Sequence, residues 1–255
     1  AEVSCNGIDE NCNGLADDEI LINPIVSGQN TCEGSPDTLT VISPLKGSAY
    51  WFTSPTSKQP VFVGNPFITP VINANTVYFV MDSSTTFGCY SQKVPVNILV
   101  FKEPLLVTND MPRICRGNSF NLANINVNDL KNAGGVLSFH TGFPPTNLNK
   151  LSNTTVSPLS TAQYYVRSLN ANGCDDVLPV LLVVDPVPSI NIQNLDPIQI
   201  CPVAAVTLVS SASGGTFPYT YLWNNGSPEF STTVYGSVVP GSQNYTVTVT
   251  DFNKC

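Results

Sequence analysis

The sequence predicts an all-β chain of three small tandem β-sandwiches, on three observations. The first is a phrase repeated three times: an alternating β-branched and aromatic run, a polar turn, then a cysteine. It runs from Tyr78-Phe-Val80 through Asp82 and Gly88 to Cys89, and from Tyr164-Tyr-Val166 through Asn172 and Gly173 to Cys174. The third copy runs from Tyr245-Thr-Val-Thr-Val249 through Asp251 and Asn253 to Cys255. Tyr245, Val247 and Val249 fall on one face of an extended strand and the threonines on the other, the period-2 mark of a half-buried strand. The second observation is a cysteine that opens each unit, Cys32, Cys115 and Cys201. Opening cysteines are 83 and 86 residues apart and closing ones 85 and 81, a fixed period that means an array of like domains. The third is the absence of a helical period among short apolar runs separated by Pro, Gly and Asn turns.

Strands are expected in order. In unit one they cover residues 20–26, 38–42, the aromatic central strand 49–52, 61–63, 71–72, 76–81 and the closing strand 94–101. Pro95 inside that last strand should lie at an edge or a bulge, because proline has no N–H to give to a ladder. Unit two repeats the plan at 105–107, 120–125, 136–139, 163–167 and 177–184, with Phe139 where the other units carry Trp51 and Trp223. Unit three follows at 189–192, 206–211, 219–223, 231–234 and 244–250. The linkers Lys102-Glu-Pro104 and Asp185-Pro-Val-Pro188 are short and proline-bearing, so an extended rod is expected. The domain bounds are 1–18, 19–102, 103–186 and 187–255.

Composition narrows the setting. The 255 residues include 8 cysteines, 10 basic and 18 acidic residues, for a net charge of −8. Even, regularly spaced cysteines imply disulfides and an oxidising, extracytoplasmic location. One pair per unit predicts Cys32–Cys89, Cys115–Cys174 and Cys201–Cys255. An acidic balance without a Lys/Arg cluster speaks against nucleic acid as a partner. The longest apolar runs are strand-length, too short for membrane insertion. With no initiator Met and no signal peptide, Ala1 is expected to be a processed or an engineered start.

Residues 1–18 stand apart. Asp9, Asn11 and Asn13 alternate, Gly14 follows, and Asp17 completes oxygen ligands at positions 1, 3, 5 and 9 of a calcium loop, with the Leu15 carbonyl as a further ligand. Position 12, where an EF-hand has a bidentate Glu, is Ile20, so Asp18 or Glu19 would serve only with a different loop closure.

The segment Cys5-Asn-Gly-Ile-Asp-Glu-Asn-Cys-Asn-Gly-Leu-Ala-Asp-Asp18 resembles a short metal-binding motif of bacterial surface proteins, which implies a local Cys5–Cys12 disulfide. Gly214-Gly-Thr-Phe-Pro-Tyr-Thr-Tyr-Leu-Trp-Asn-Asn-Gly226, with the final Tyr245 strand and Cys255, resembles repeats of Bacteroidetes gliding-motility adhesins and the polycystic-kidney-disease-type domain. Tyr50-Trp51-Phe52, Thr76-Val-Tyr-Phe-Val80 and Gly88-Cys89 resemble the immunoglobulin-like modules that accompany type IX secretion sorting domains in that phylum. The resemblance implies three tandem immunoglobulin-like β-sandwiches behind a disulfide-clamped calcium-loop-like motif, in a secreted, extracellular or cell-surface protein. It also implies O-glycosylation of Thr38 in Asp37-Thr-Leu39.

A hydrolase is not expected. His140 is the sole histidine, in a chain without a nucleophile elbow, and reads as an exposed strand residue. Trp51, Tyr50, Trp223, Tyr219 and Tyr221 have the chemistry to stack on sugar rings, although at this spacing aromatics are more often core. The favoured reading is a structural stalk or adhesive segment of a large surface protein or filament, whose partners are other repeats of a longer chain. The alternative is a carbohydrate-binding accessory region of a secreted multidomain enzyme, with a surface glycan as partner. Unit three has no counterpart of the closing strands 94–101 and 177–184, so a longer polypeptide is expected, or a strand donated by a neighbouring copy.

Residues 5–18 are expected to bind calcium through Asp9, Asn11, Asn13, Asp17 and Asp18. Two neutral amides among the five weaken the site to a Kd of roughly 10⁻⁴–10⁻³ M. Calorimetry should show heat for the chain and none for Asp9→Ala; equal heats, or none from either at millimolar calcium, would end the idea.

Overall fold

The computed structural model describes residues 22–28, 30–84, 90–193 and 197–255. The calcium-loop residues with Cys5 and Cys12, and Cys89, lie outside the described residues. Apart from a single-turn 3-10 helix over Leu122–Asn124, the regular elements described are all strands. Buried apolar side chains gather into three clusters, one per repeat.

In the first repeat a five-stranded sheet runs in the order Asn30–Cys32, Val94–Phe101, Thr76–Ser84, Gly47–Phe52 and Phe62–Val63. A second sheet joins Val26–Ser27, Thr38–Val41 and Phe67–Ile68. Alternation along the strands sends Ala49, Trp51, Val80 and Ile98 from the first sheet against Leu39 and Val41 from the second. Trp51 is fully buried, and its indole N–H donates to the Gly64 carbonyl at 3.0 Å. Pro95 pairs with Phe79 on one side, while the neighbouring strand on the other side reaches only Leu99 to Phe101. Its missing N–H therefore falls on a free edge, as proline requires.

The second repeat has a four-stranded sheet ordered Arg113–Cys115, Asp175–Asp185, Ala162–Leu169, Val136–His140. Two ribbons complete it, Phe120–Asn121 with Thr155–Val156 and Leu106–Val107 with Asn128–Asp129. The strand expected over 120–125 stops at Asn121, whose side chain accepts the Ala123 N–H at 3.0 Å and caps the 3-10 turn. Residues 71–72, also expected as a strand, make only a single bridge, Ser35 with Ile72.

In the third repeat Ser189–Ile192, Ala205–Ser213 and Ser231–Tyr235 form one sheet, and Thr220–Trp223 pairs with Val247–Thr250 in another. Its core is small: among the described residues Leu208, Trp223 and Val234 are its buried hydrophobics, with Ile200, Val206, Tyr245 and Val247 half-covered around them.

By proximity the described residues form two compact units. One holds those up to Leu105 with Asp129–Val136 and Ser168–Asp176; the other holds Leu106–Asn128, Leu137–Arg167 and Val177–Cys255. Two loops of the second repeat thus belong with the first.

Core size sets the expected response to truncation. Trp→Ala at a buried site costs about 3–5 kcal/mol. Trp223→Ala should abolish the cooperative transition of the third repeat, whereas Trp51→Ala should lower the midpoint of the first and keep it cooperative. Equal shifts in a denaturant titration would contradict this difference between the cores.

Candidate functional site

The opening and closing cysteines lie on two recurring pieces of backbone. Each opening cysteine begins a tight turn. Ser35 N–H donates to the Cys32 carbonyl at 3.1 Å and Asn118 N–H to the Cys115 carbonyl at 3.0 Å. The third residue of each turn has positive φ, 84° at Gly34 and 96° at Gly117, which glycine adopts without steric cost. The strand before each turn pairs in parallel with the end of its own repeat's closing strand, Cys32 beside Phe101 and Cys115 beside Asp185. Glu33 N–H donates to Phe101 O and Arg116 N–H to Asp185 O, both at 2.8 Å. The opening cysteine is thereby carried to the end from which the chain leaves the repeat.

Cys174 and Cys255 each close a turn that follows a strand and is built on an Asn or Asp four residues earlier. Asn170 Oδ1 accepts the Cys174 N–H at 3.0 Å, and Asp251 Oδ1 accepts the Cys255 N–H at 2.9 Å. The Asn170 and Asp251 N–H groups donate to the Cys174 and Cys255 carbonyls, both at 2.9 Å. Gly173 and Lys254 hold the left-handed position before the cysteine, at φ 85° and 69°.

These two pieces join across repeats. Cys32 is bonded to Cys174 with Cα atoms 5.7 Å apart, and Cys115 to Cys255 at 5.4 Å. The expected bridges Cys32–Cys89, Cys115–Cys174 and Cys201–Cys255 are not formed, and Cys201 is an exposed free thiol. Geometry explains the correction. Cys174 immediately precedes the 11-residue strand Asp175–Asp185, and Cys115 lies beside its last residue. A strand of that length separates its ends by about 33 Å, far beyond the roughly 7 Å that a disulfide tolerates between Cα atoms.

Polar contacts brace each bridge. Near Cys32–Cys174, Asn170 Nδ2 donates to Lys102 O at 2.9 Å and Lys131 Nζ pairs with Glu33 at 3.0 Å. Leu105 N–H donates to Asp129 Oδ1 at 2.9 Å, and this with further backbone N–H groups holds the Asp129 carboxyl below the usual carboxylate range. Near Cys115–Cys255, Asp185 accepts Arg113 Nε at 2.9 Å, Arg113 Nη2 at 2.5 Å and Asn253 Nδ2 at 3.0 Å. The Arg113 hydrogen bond outweighs burial and holds the Asp185 carboxyl down. None of these polar residues was singled out as a site in the sequence; only Cys-x-Gly in the opening turns offered a signal.

The other residues read from the sequence fall elsewhere. Trp51 and Trp223 are buried in cores and unavailable to a sugar. Tyr219 and Tyr221 are half-buried; Tyr50, also half-buried, meets Tyr90 edge-on at 6.3 Å along a groove where Lys93 lies 3.7 Å over the Phe52 ring. Thr38 is exposed on its strand. His140, expected to be exposed, is 2% exposed instead. Its ring nitrogens lie 2.9 Å from Ser138 Oγ and 3.0 Å from Asn149 Oδ1, and Asn149 also accepts the Thr146 N–H at 2.8 Å. The imidazole is tied into the loop that follows its strand. Among the described residues no group of three His, Cys, Asp or Glu is placed to hold a metal.

Because the Asp185 pKa is depressed in the folded chain, its stabilisation is complete above the unfolded value of about 3.9 and is lost as pH falls through the folded value. Asp185→Asn should lower the melting temperature at pH 7, with a difference from the parent that shrinks below about pH 4. A difference independent of pH would show that the carboxylate charge has no part in the bracing.

Residues 22–101 match the model of a family described as "Ig-like domain CHU_C associated". No curated protein matches the chain. Among solved structures it is similar to extracellular domains 3–5 of Drosophila OTK, at 13% identity over 90% of this chain and 95% of that one, with a TM-score of 0.30. It is also similar to the N-terminal eight Ig domains of Down Syndrome Cell Adhesion Molecule isoform 1.30.30, at 12% identity over 91% and 42% of the two chains, TM-score 0.34. A third likeness is to three N-terminal domains of the bacteriophage RB49 Highly Immunogenic Outer Capsid protein, at 11% identity over 85% and 80%, TM-score 0.31. The chain is built of Ig-like β-sandwich repeats, the first of which carries the CHU_C-associated match.

Proposed function

We propose that the chain is a tension-bearing stalk or adhesive segment of a larger secreted or cell-surface protein. The observation that supports this reading is that the two disulfides among the described residues overlap along the chain and join successive repeats. Disulfides of this kind belong to an oxidising compartment. Under tension the shortest covalent path from Cys32 to Cys255 crosses to Cys174, follows the 59 residues back to Cys115, and crosses to Cys255. That path extends to about 200 Å, against about 750 Å for the whole intervening chain. A spacer that stays short when its domains yield suits surface attachment. Type IX secretion, a filament and gliding motility are finer parts of this reading that rest on the sequence resemblance, and calcium at residues 5–18 rests on the spacing of Asp9, Asn11, Asn13 and Asp17 together with that resemblance.

Single-molecule pulling on the chain by its two ends tests it. Cys32→Ser with Cys115→Ser should lengthen the fully unfolded chain by about 550 Å relative to the parent. Equal contour lengths for parent and variant would remove the basis for a tension-bearing role.

A further inference from the structure

Cys201 is the opening cysteine of the third repeat, and the turn it begins repeats that of the two opening cysteines already bonded. Ala204 N–H donates to the Cys201 carbonyl at 3.1 Å, the same turn that Ser35 closes on Cys32 and Asn118 on Cys115. Position three of that turn is again left-handed, φ 57°, although here it is Val203 and not glycine. A β-branched residue is costly in that region, so the surrounding structure imposes the turn where the side chain opposes it. The bracing is visible: Val203 N–H donates to Gly236 O at 3.0 Å, and Gly236 N–H to Ala204 O at 2.8 Å. A Cβ on Gly236 would come within 2.1 Å of Cys201 O, so the close approach requires glycine. The thiol is exposed. Two differences set this copy apart: Pro202 has no N–H where Glu33 and Arg116 donate to the closing strand, and residues 198–201 are not in a strand.

In both bonded copies the partner is the closing cysteine of the following repeat, in a turn with Asn or Asp four residues before it and a left-handed residue one before it. We infer that Cys201 is the opening half of a third inter-repeat disulfide, taken up by the closing cysteine of a further Ig-like repeat that follows the third. Bond formation joins the two sulfurs and releases two protons and two electrons. An oxidised disulfide, of an oxidoreductase or a small thiol pair, accepts them and becomes two thiols. The inference extends the stalk reading and rests on it.

The test is made on the full polypeptide at the surface of the cells that produce it. Free thiols are blocked with N-ethylmaleimide before lysis, the protein is digested without reduction, and the Cys201 peptide is followed by mass spectrometry. The expected result is a disulfide to a peptide from a fourth repeat, its cysteine preceded four residues earlier by Asn or Asp, with less than a tenth of Cys201 alkylated. Alkylated Cys201, a small-thiol adduct, or a bridge to Cys89 of the same or a second copy would overturn it. In those cases Cys32–Cys174 and Cys115–Cys255, read from the same digest, report separately whether the stalk reading still stands.

Discussion

The site depends on one backbone interaction, the parallel pairing of a three-residue opening strand with the last residues of the closing strand. The strand Asn30–Cys32 has little side chain to bury, and Leu99, Val100 and Phe101 pair with it through the backbone. What the pairing fixes is position. It carries Cys115 the length of the closing strand, away from the Asn170 turn of its own repeat, and it leaves Cys32 and Cys115 each beside the end of that repeat's last strand. There the closing turn of the following repeat meets each of them, built on Asn170 for Cys32 and on Asp251 for Cys115.

The energetic weight of the two bridges follows from the size of the loops they close. Sequence separations of 142 and 140 residues correspond to about 5 kcal/mol each in the chain-entropy account, before allowing for their overlap. A repeat with three buried core hydrophobics among its described residues, such as the third, has little stability of its own to set against that. The bridges and the small cores are complementary, since a covalent tie reduces the apolar burial that each sandwich must supply. The polar contacts around Asp185 and Asn170 add direction more than strength, because they orient the loops that present the sulfurs.

Strands whose side chains alternate were legible in the sequence. The bounds expected for 94–101 and 189–192 coincide with Val94–Phe101 and Ser189–Ile192, and Trp51, Phe139 and Trp223 are core residues. The opening strands were not legible, because Asn30-Thr-Cys32 and Arg113-Ile-Cys115 carry no alternating apolar signal and owe their place to backbone hydrogen bonds. That omission led to the wrong pairing. Without the parallel ladder, a cysteine at each end of a unit reads as an intra-unit pair, whereas the ladder puts the length of a strand between them. His140, expected to be exposed, is buried and hydrogen-bonded to Ser138 beside it and to Asn149 on the far side of a loop, a partner that no local pattern announces.

The described disulfides join successive repeats and not the two ends of one. Peptide mapping of the purified 255-residue chain under non-reducing, thiol-blocked conditions decides between the two pairings. The predicted result is linked peptides containing Cys32 with Cys174 and Cys115 with Cys255; a peptide pair linking Cys115 to Cys174 would contradict it.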